Sequence, residues 1–109
     1  MKVGELVGKL PLRVVHLGDP DREIDGVYAG DLLSWVMGRA KPGQLWVTIM
    51  TNANVAAVAS LIDLSAVIVC EGCEPEAALV SACRTRDINL LVSPLSVYQT
   101  CTSLGILLP

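Results

Sequence analysis

The chain has 109 residues, of which 52% are hydrophobic, 4% aromatic and 17% charged, with no Phe and a net charge of −3. At a mean hydropathy of +0.55 and a pI near 4.9, it is long enough for one domain with a real core and too short for two. No Lys/Arg cluster is present to neutralise phosphates, so DNA and RNA are excluded as partners.

In chain order, Val3, Leu6, Val7 and Leu10 fall at helical spacing, which predicts a short amphipathic helix over 2–10, closed by Pro11. Glu5 within that run distinguishes it from a signal peptide. Residues 12–16 (LRVVH) are short and β-branched and read as a strand. Residues 18–23 form a polar turn, and 24–29 (IDGVYA) a strand or an extended lead-in. Asp31 is the expected N-cap of a helix to about Arg39, with Leu32, Leu33, Val36 and Met37 on its apolar face.

From there the pattern is regular. Strands are predicted over 45–50, 66–70 and 89–93, with helices over 53–63, 76–86 and 96–105 between and after them. This alternation predicts a three-layer α/β fold, with a mostly parallel sheet of about five strands covered by helices. The nearly continuous apolar strands fit a sheet buried on both faces. The run Val55–Cys70 is broken by Asp63 and two serines, so it reads as helix, turn and strand rather than a membrane span. A cytoplasmic protein with four reduced thiols is the expectation.

Parallel strands place their C-terminal ends along one edge, where open α/β sheets bind ligands. That edge is expected to present Thr51, Asn52 and Asn54, then Glu71 and Gly72, then Ser93. With the free N–H groups and dipole of helix 53–63, this set suits a phosphate or polar small molecule. The alternative is that Asn52 caps the helix and Thr51 bonds nearby backbone. Tyr28, between Gly26 and Gly30, offers a ring and a hydroxyl for the same ligand, or is a half-buried core tyrosine.

Cys70-Glu71-Gly72-Cys73 is a CxxC, but Cys83 and Cys101 sit on helix faces at the wrong spacing to complete a metal site, and Cys70 ends a buried strand. No metal or cofactor is predicted. His16, the single histidine, has no nucleophile paired to it by pattern, and there is no Walker loop and no GxGxxG after a strand. Catalytic residues are therefore not assigned, and the chain is not read as an enzyme.

The run from Asp21 to Gly72 resembles the DRTGG domain. The resemblance rests on Asp21-Arg22, Gly26 with Tyr28, Gly30-Asp31-Leu32-Leu33, Val36-Met37, Thr48, Asn54 with Val58-Ala59, and Gly72, and it covers nearly the whole of 1–109 as one DRTGG-like domain. Glu23-Ile24-Asp25 follow Asp21-Arg22 where the family's name would place Thr-Gly-Gly. The resemblance implies a fold similar to the N-terminal domains of HPr kinase/phosphorylase and of some Mur ligases, and a non-catalytic regulatory module. Such domains occur beside CBS domains in regulated pyrophosphatases and within some phosphotransacetylases. Free-standing versions occur in anaerobic bacteria, in association with iron-hydrogenase systems. A homodimer is implied as well. Two readings follow: a sensor of a nucleotide or other phosphorylated small molecule, with Tyr28, Asp31, Thr51, Asn52, Asn54, Glu71, Gly72 and Ser93 as candidates, or a dimerisation or protein-docking module.

Overall fold

The computed structural model describes all 109 residues. Helix α1 (Val3–Val7) is followed by strands β1 (Arg13–His16) and β2 (Val27–Ala29). Then come α2 (Leu33–Arg39), β3 (Leu45–Thr48), α3 (Asn54–Ile62), β4 (Ala66–Val69), α4 (Ala77–Arg86), β5 (Leu90–Val92) and α5 (Val97–Leu107). The five strands form one sheet in the order β1-β5-β4-β3-β2. Strands β2 to β5 are parallel and lie side by side in chain order, and β1 joins β5 antiparallel. The predicted architecture is present.

Strands β3, β4 and β5 are buried at every position, because both faces of the sheet are covered. On one face Trp46, Val67, Val69, Leu90 and Val92 meet Val36 of α2, Val55, Val58 and Ala59 of α3, and Leu79 and Cys83 of α4. On the other, Leu45, Val47, Ala66, Ile68 and Leu91 meet Val3 and Leu6 of α1 and Leu104 of α5. Period-2 alternation thus sends neighbouring strand residues into two separate cores. Each fully buried Leu, Ile or Val stabilises the fold by about 1.5–3 kcal/mol relative to exposure.

Some element ends differ from expectation. Helix α1 stops at Val7, with Gly8 as its C-cap, and Leu10 packs on the second core from outside the helix. Strand β2 begins only at Val27; Ile24 is tied instead to Met1, whose carbonyl accepts the Ile24 amide. Asp31 is not the N-cap of α2. Leu32 holds that position and makes no side-chain cap bond. The Asp31 carboxylate turns instead to β3, where a buried hydroxyl needs a partner.

Candidate functional site

The four parallel strands end along one edge of the sheet, presenting Gly30-Asp31, Ile49–Asn54, Cys70–Gly72 and Ser93–Ser96. Because β1 runs the other way, Arg13 at its start pairs with Val92 and joins this edge. Sequence reasoning missed Arg13, since a strand's direction carries no local signal.

Between β2 and β3, Asp31 Oδ1 accepts the Thr48 hydroxyl at 2.7 Å and the Ile49 amide at 3.1 Å. The Tyr28 ring lies against Gly30, where an added Cβ would stand 3.1 Å from Tyr28 Cε2. The Gly30 carbonyl accepts the Trp46 indole N–H at 2.8 Å. Tyr28 is half-buried on the α2–α4 face and pairs with Trp46, short of the strand ends that carry Asp31 and Asn54.

After β3, Thr51, Asn52 and Asn54 divide in role. The Thr51 hydroxyl donates to Glu76 Oε2 at 3.3 Å, and its carbonyl accepts the Glu76 amide at 3.0 Å, so Thr51 bonds the start of α4 rather than its own loop. Asn52 Oδ1 accepts the Asn54 amide at 3.0 Å, a local side-chain bond to the first residue of α3; the N-cap itself is Ala53, which makes no side-chain cap bond, so Asn52 is not the cap the sequence offered. The Asn54 side chain is exposed.

After β4, Glu71 and Gly72 are consecutive left-handed residues, with φ of 62° and 63°. The Glu71 amide donates to Leu95 and the Gly72 amide to Ser93. Helix α4 leaves for one face and α5 for the other, so a crevice opens between the ends of β4 and β5, the place where such sheets bind ligands. Here Glu71 Oε2 accepts the Val97 amide at the start of α5, at 3.3 Å. A carboxylate of the chain itself thus occupies the positive helix end. Below it, the Ser93 hydroxyl is 2.8 Å from Thr100 Oγ1, which also receives the Cys70 thiol at 3.5 Å. Ser93 is only 1% exposed and is committed to this internal network.

A concavity of about 330 Å³ lies beside the crevice, lined by Pro11, Arg13, Gly72, Glu74, Val92 and Pro94. Arg13 Nη2 donates to Glu74 Oε2 at 2.6 Å across it. Of the expected residues only Gly72 lines this space, and a Cβ added at Gly72 would meet nothing. The structure thus brings the candidates other than Tyr28 to one edge but not into one cavity.

Burial raises the thiols of Cys70, Cys83 and Cys101, that of Cys83 to about 11, and the Thr100 bond offsets part of the rise at Cys70. Such thiols stay protonated at neutral pH and are poor nucleophiles. Cys70 belongs to the α1/α5 core, whereas Cys73 packs on the α2–α4 core. The two sulfurs of the CxxC face opposite sides of the sheet, unlike a redox pair. No three His, Cys, Asp or Glu side chains converge to hold a metal ion. No helix is long and apolar enough to cross a membrane.

No family model matches the chain, and no curated protein matches it in sequence. A solved structure matches its fold: the CBS and DRTGG domains of the regulatory region of Clostridium perfringens pyrophosphatase, complexed with the activator diadenosine tetraphosphate. The TM-score is 0.73 at 12% identity, over 93% of this chain. The chain has a DRTGG-like fold. It spans 44% of that neighbour's chain, less than half its length.

Within the DRTGG-like fold, Asp21-Arg22 lies far from the edge just described. Arg22 reaches the end of α3, where Nη1 donates to Asp63 Oδ1 at 2.9 Å and Nη2 to the Asp63 carbonyl at 2.7 Å. A cation on the last carbonyls of a helix is favourable there. The turn is pinned further by Asn89, which sequence reasoning passed over. Its Nδ2 donates to the carbonyls of Asp19 and Ser65 at 2.8 and 2.9 Å, and its Oδ1 accepts the Asp19 amide at 2.9 Å.

Proposed function

We propose that the chain is a non-catalytic regulatory module that senses a phosphorylated small molecule of the nucleotide class on the C-terminal edge of its sheet. The observation that carries this reading is the fold it shares with a regulatory region complexed with a nucleotide activator. The edge offers chemistry for an anion: the Arg13 guanidinium, of which only Nη2 is taken by Glu74, the open backbone at Gly72, and the exposed Asn54 amide close to the start of α3. Asp31, Thr51, Asn52, Glu71 and Ser93 shape this edge through their own bonds, and Tyr28 supports it from β2. The protonated thiols and the position of His16 at the far end of β1 fit a module without chemistry of its own. Four free cysteines suit a reducing, cytoplasmic setting.

The test is a thermal-shift series with AMP, ATP and diadenosine tetraphosphate, run on the native chain, Asn54→Ala and Arg13→Gln. A ligand at a hundred times its dissociation constant adds about 2.7 kcal/mol, which moves the midpoint by roughly ten degrees or more in a domain of this size. A shift diminished in either variant supports the reading. A flat series on folded protein overturns it.

A second reading, a homodimer or protein-docking module, is favoured by apolar surface at the same edge. Leu32, Trp35 and Ile49 are 58%, 52% and 44% exposed around Asp31. Light scattering decides this one: a dimer that Trp35→Asp splits supports it, and a monomer at high concentration speaks against self-association.

A further inference from the structure

Helix α2 carries a stripe of side chains that the core does not use. Leu33, Val36 and Ala40 turn to the core. Leu32, at the N-cap, with Trp35 and Arg39 falls at i, i+3 and i+7 along one exposed flank. Ile49 extends this flank past Asp31, whose carboxylate accepts the Ile49 amide. The chain has only four aromatic residues, two Trp and two Tyr. Trp46 is fully buried, yet Trp35 is left at the surface beside Leu32. Trp and Arg together are the side chains most enriched among the anchors of protein interfaces.

The charge on this flank is unanswered. The guanidinium carbon of Arg39 lies 3.7 Å from the centroid of the Trp35 ring. The side-chain hydrogen bonds given by arginines come from Arg13 and Arg22, and Arg39 joins none of the ion pairs. Helix α2 has no acidic residue to pair with it. A guanidinium held by its face keeps its fork of N–H donors open in the plane, the geometry that grips a carboxylate with two parallel bonds. The flank therefore pairs an apolar anchor with an oriented, uncommitted cation.

We infer that this flank of α2 docks an acidic amphipathic helix of another protein. Its apolar side chains cover Leu32, Trp35 and Ile49, and an Asp or Glu about two turns along its length meets the Arg39 fork. The rise from Leu32 to Arg39 is about 10 Å at 1.5 Å per residue, which apolar and acidic positions at i, i+4 and i+7 of a partner helix match. A second copy of the chain lacks the required charge. Pairing α2 with itself brings Arg39 no carboxylate, since α2 has none and Asp31 is turned to Thr48 and Ile49. The inference rests on the protein-docking reading and not on the nucleotide reading.

The test is a display selection of helical peptides of about four turns, with apolar, acidic and basic side chains randomised, against the full chain. Enriched peptides should carry Asp or Glu within two turns of an apolar pair. In amide-resolved NMR they should shift Leu32, Trp35, Arg39 and Ile49 and leave Asn89 silent. Arg39→Gln, an exposed change, should weaken them at least about tenfold, a loss of roughly 1.4 kcal/mol. Arg39→Glu should prefer the same peptide with its acidic residue changed to Lys. Enrichment without acidic residues, shifts away from α2, or native affinity in Arg39→Gln overturns the inference. A dimer of the native chain that Trp35→Asp splits overturns it as well, but keeps the second reading in its homodimer form. A monomer that enriches no peptide overturns both.

Discussion

The carboxylate of Asp31 lies 2.7 Å from the hydroxyl of Thr48, and this bond ties the end of β2 to the end of β3. Thr48 is fully buried, so its hydroxyl has few alternatives. Asp31→Ala leaves that donor unpaired and should cost about 1–3 kcal/mol. The melting midpoint should fall by roughly 4–8 °C per kcal/mol. Asp31→Asn retains an acceptor and should stay within about 0.5 kcal/mol of the native chain. Adding Thr48→Val to Asp31→Ala should restore much of the loss, which a double-mutant cycle in urea would measure.

Asn89 is 3% exposed and satisfies three backbone groups, two on Asp19 and one on Ser65. Asn89→Ala should therefore be among the most damaging single changes, at about 3 kcal/mol or more. Asn89→Asp is nearly isosteric yet should be no better. It removes the donor and sets a buried carboxylate against two carbonyl oxygens. Urea denaturation with an unchanged slope would show that the native state, and not its compactness, is affected.

Gly18 marks a close approach of two chain segments. A Cβ there would stand 2.7 Å from the Asp87 carbonyl oxygen and 2.8 Å from its Cα, both backbone atoms that cannot rotate away. Gly18→Ala should destabilise by about 1–3 kcal/mol, as overpacked sites do. Gly38→Ala meets nothing within 4 Å inside α2 and should be neutral or stabilising. Thermal melts of the pair would separate steric cost from helix propensity.

Burial raises the Cys83 thiol from 9.0 to about 11. The folded chain therefore keeps a proton that the unfolded chain releases. The stability linked to this group is present below about pH 9 and is lost as pH rises through about 11. Cys83→Ala carries a cavity cost that does not depend on pH. The gap in melting temperature between the native chain and Cys83→Ala should narrow steadily between about pH 8 and pH 11. A constant gap over that range would count against the burial argument. Cys70 and Cys101 shift in the same direction and should leave some slope in the variant.

The run from residue 45 to 107 was legible because its signals are local. Three all-apolar strands alternate with helices at 3.6-residue spacing, and burial of both sheet faces follows from that pattern alone. The polar turn at Asn52 was legible for the same reason, since its bond spans two residues, although the N-cap of α3 is Ala53. Asp31 was misread as a cap because the same short carboxylate can serve either its own helix or the next strand. The buried hydroxyl of Thr48, 17 residues on, decided between them. Arg13 reached the ligand edge only because β1 turned antiparallel beside β5.

The amino-acid order by itself determined the layers, the alternation of strands and helices from residue 45 onward and the burial of both sheet faces, because periodicity is a property of neighbours along the chain. Tertiary structure alone decided which polar groups bond one another, and which residues from outside the parallel strands join them. It set Glu71 against the start of α5 and brought Arg22 to the end of α3. Those contacts join residues tens of positions apart, and strand order and direction create them.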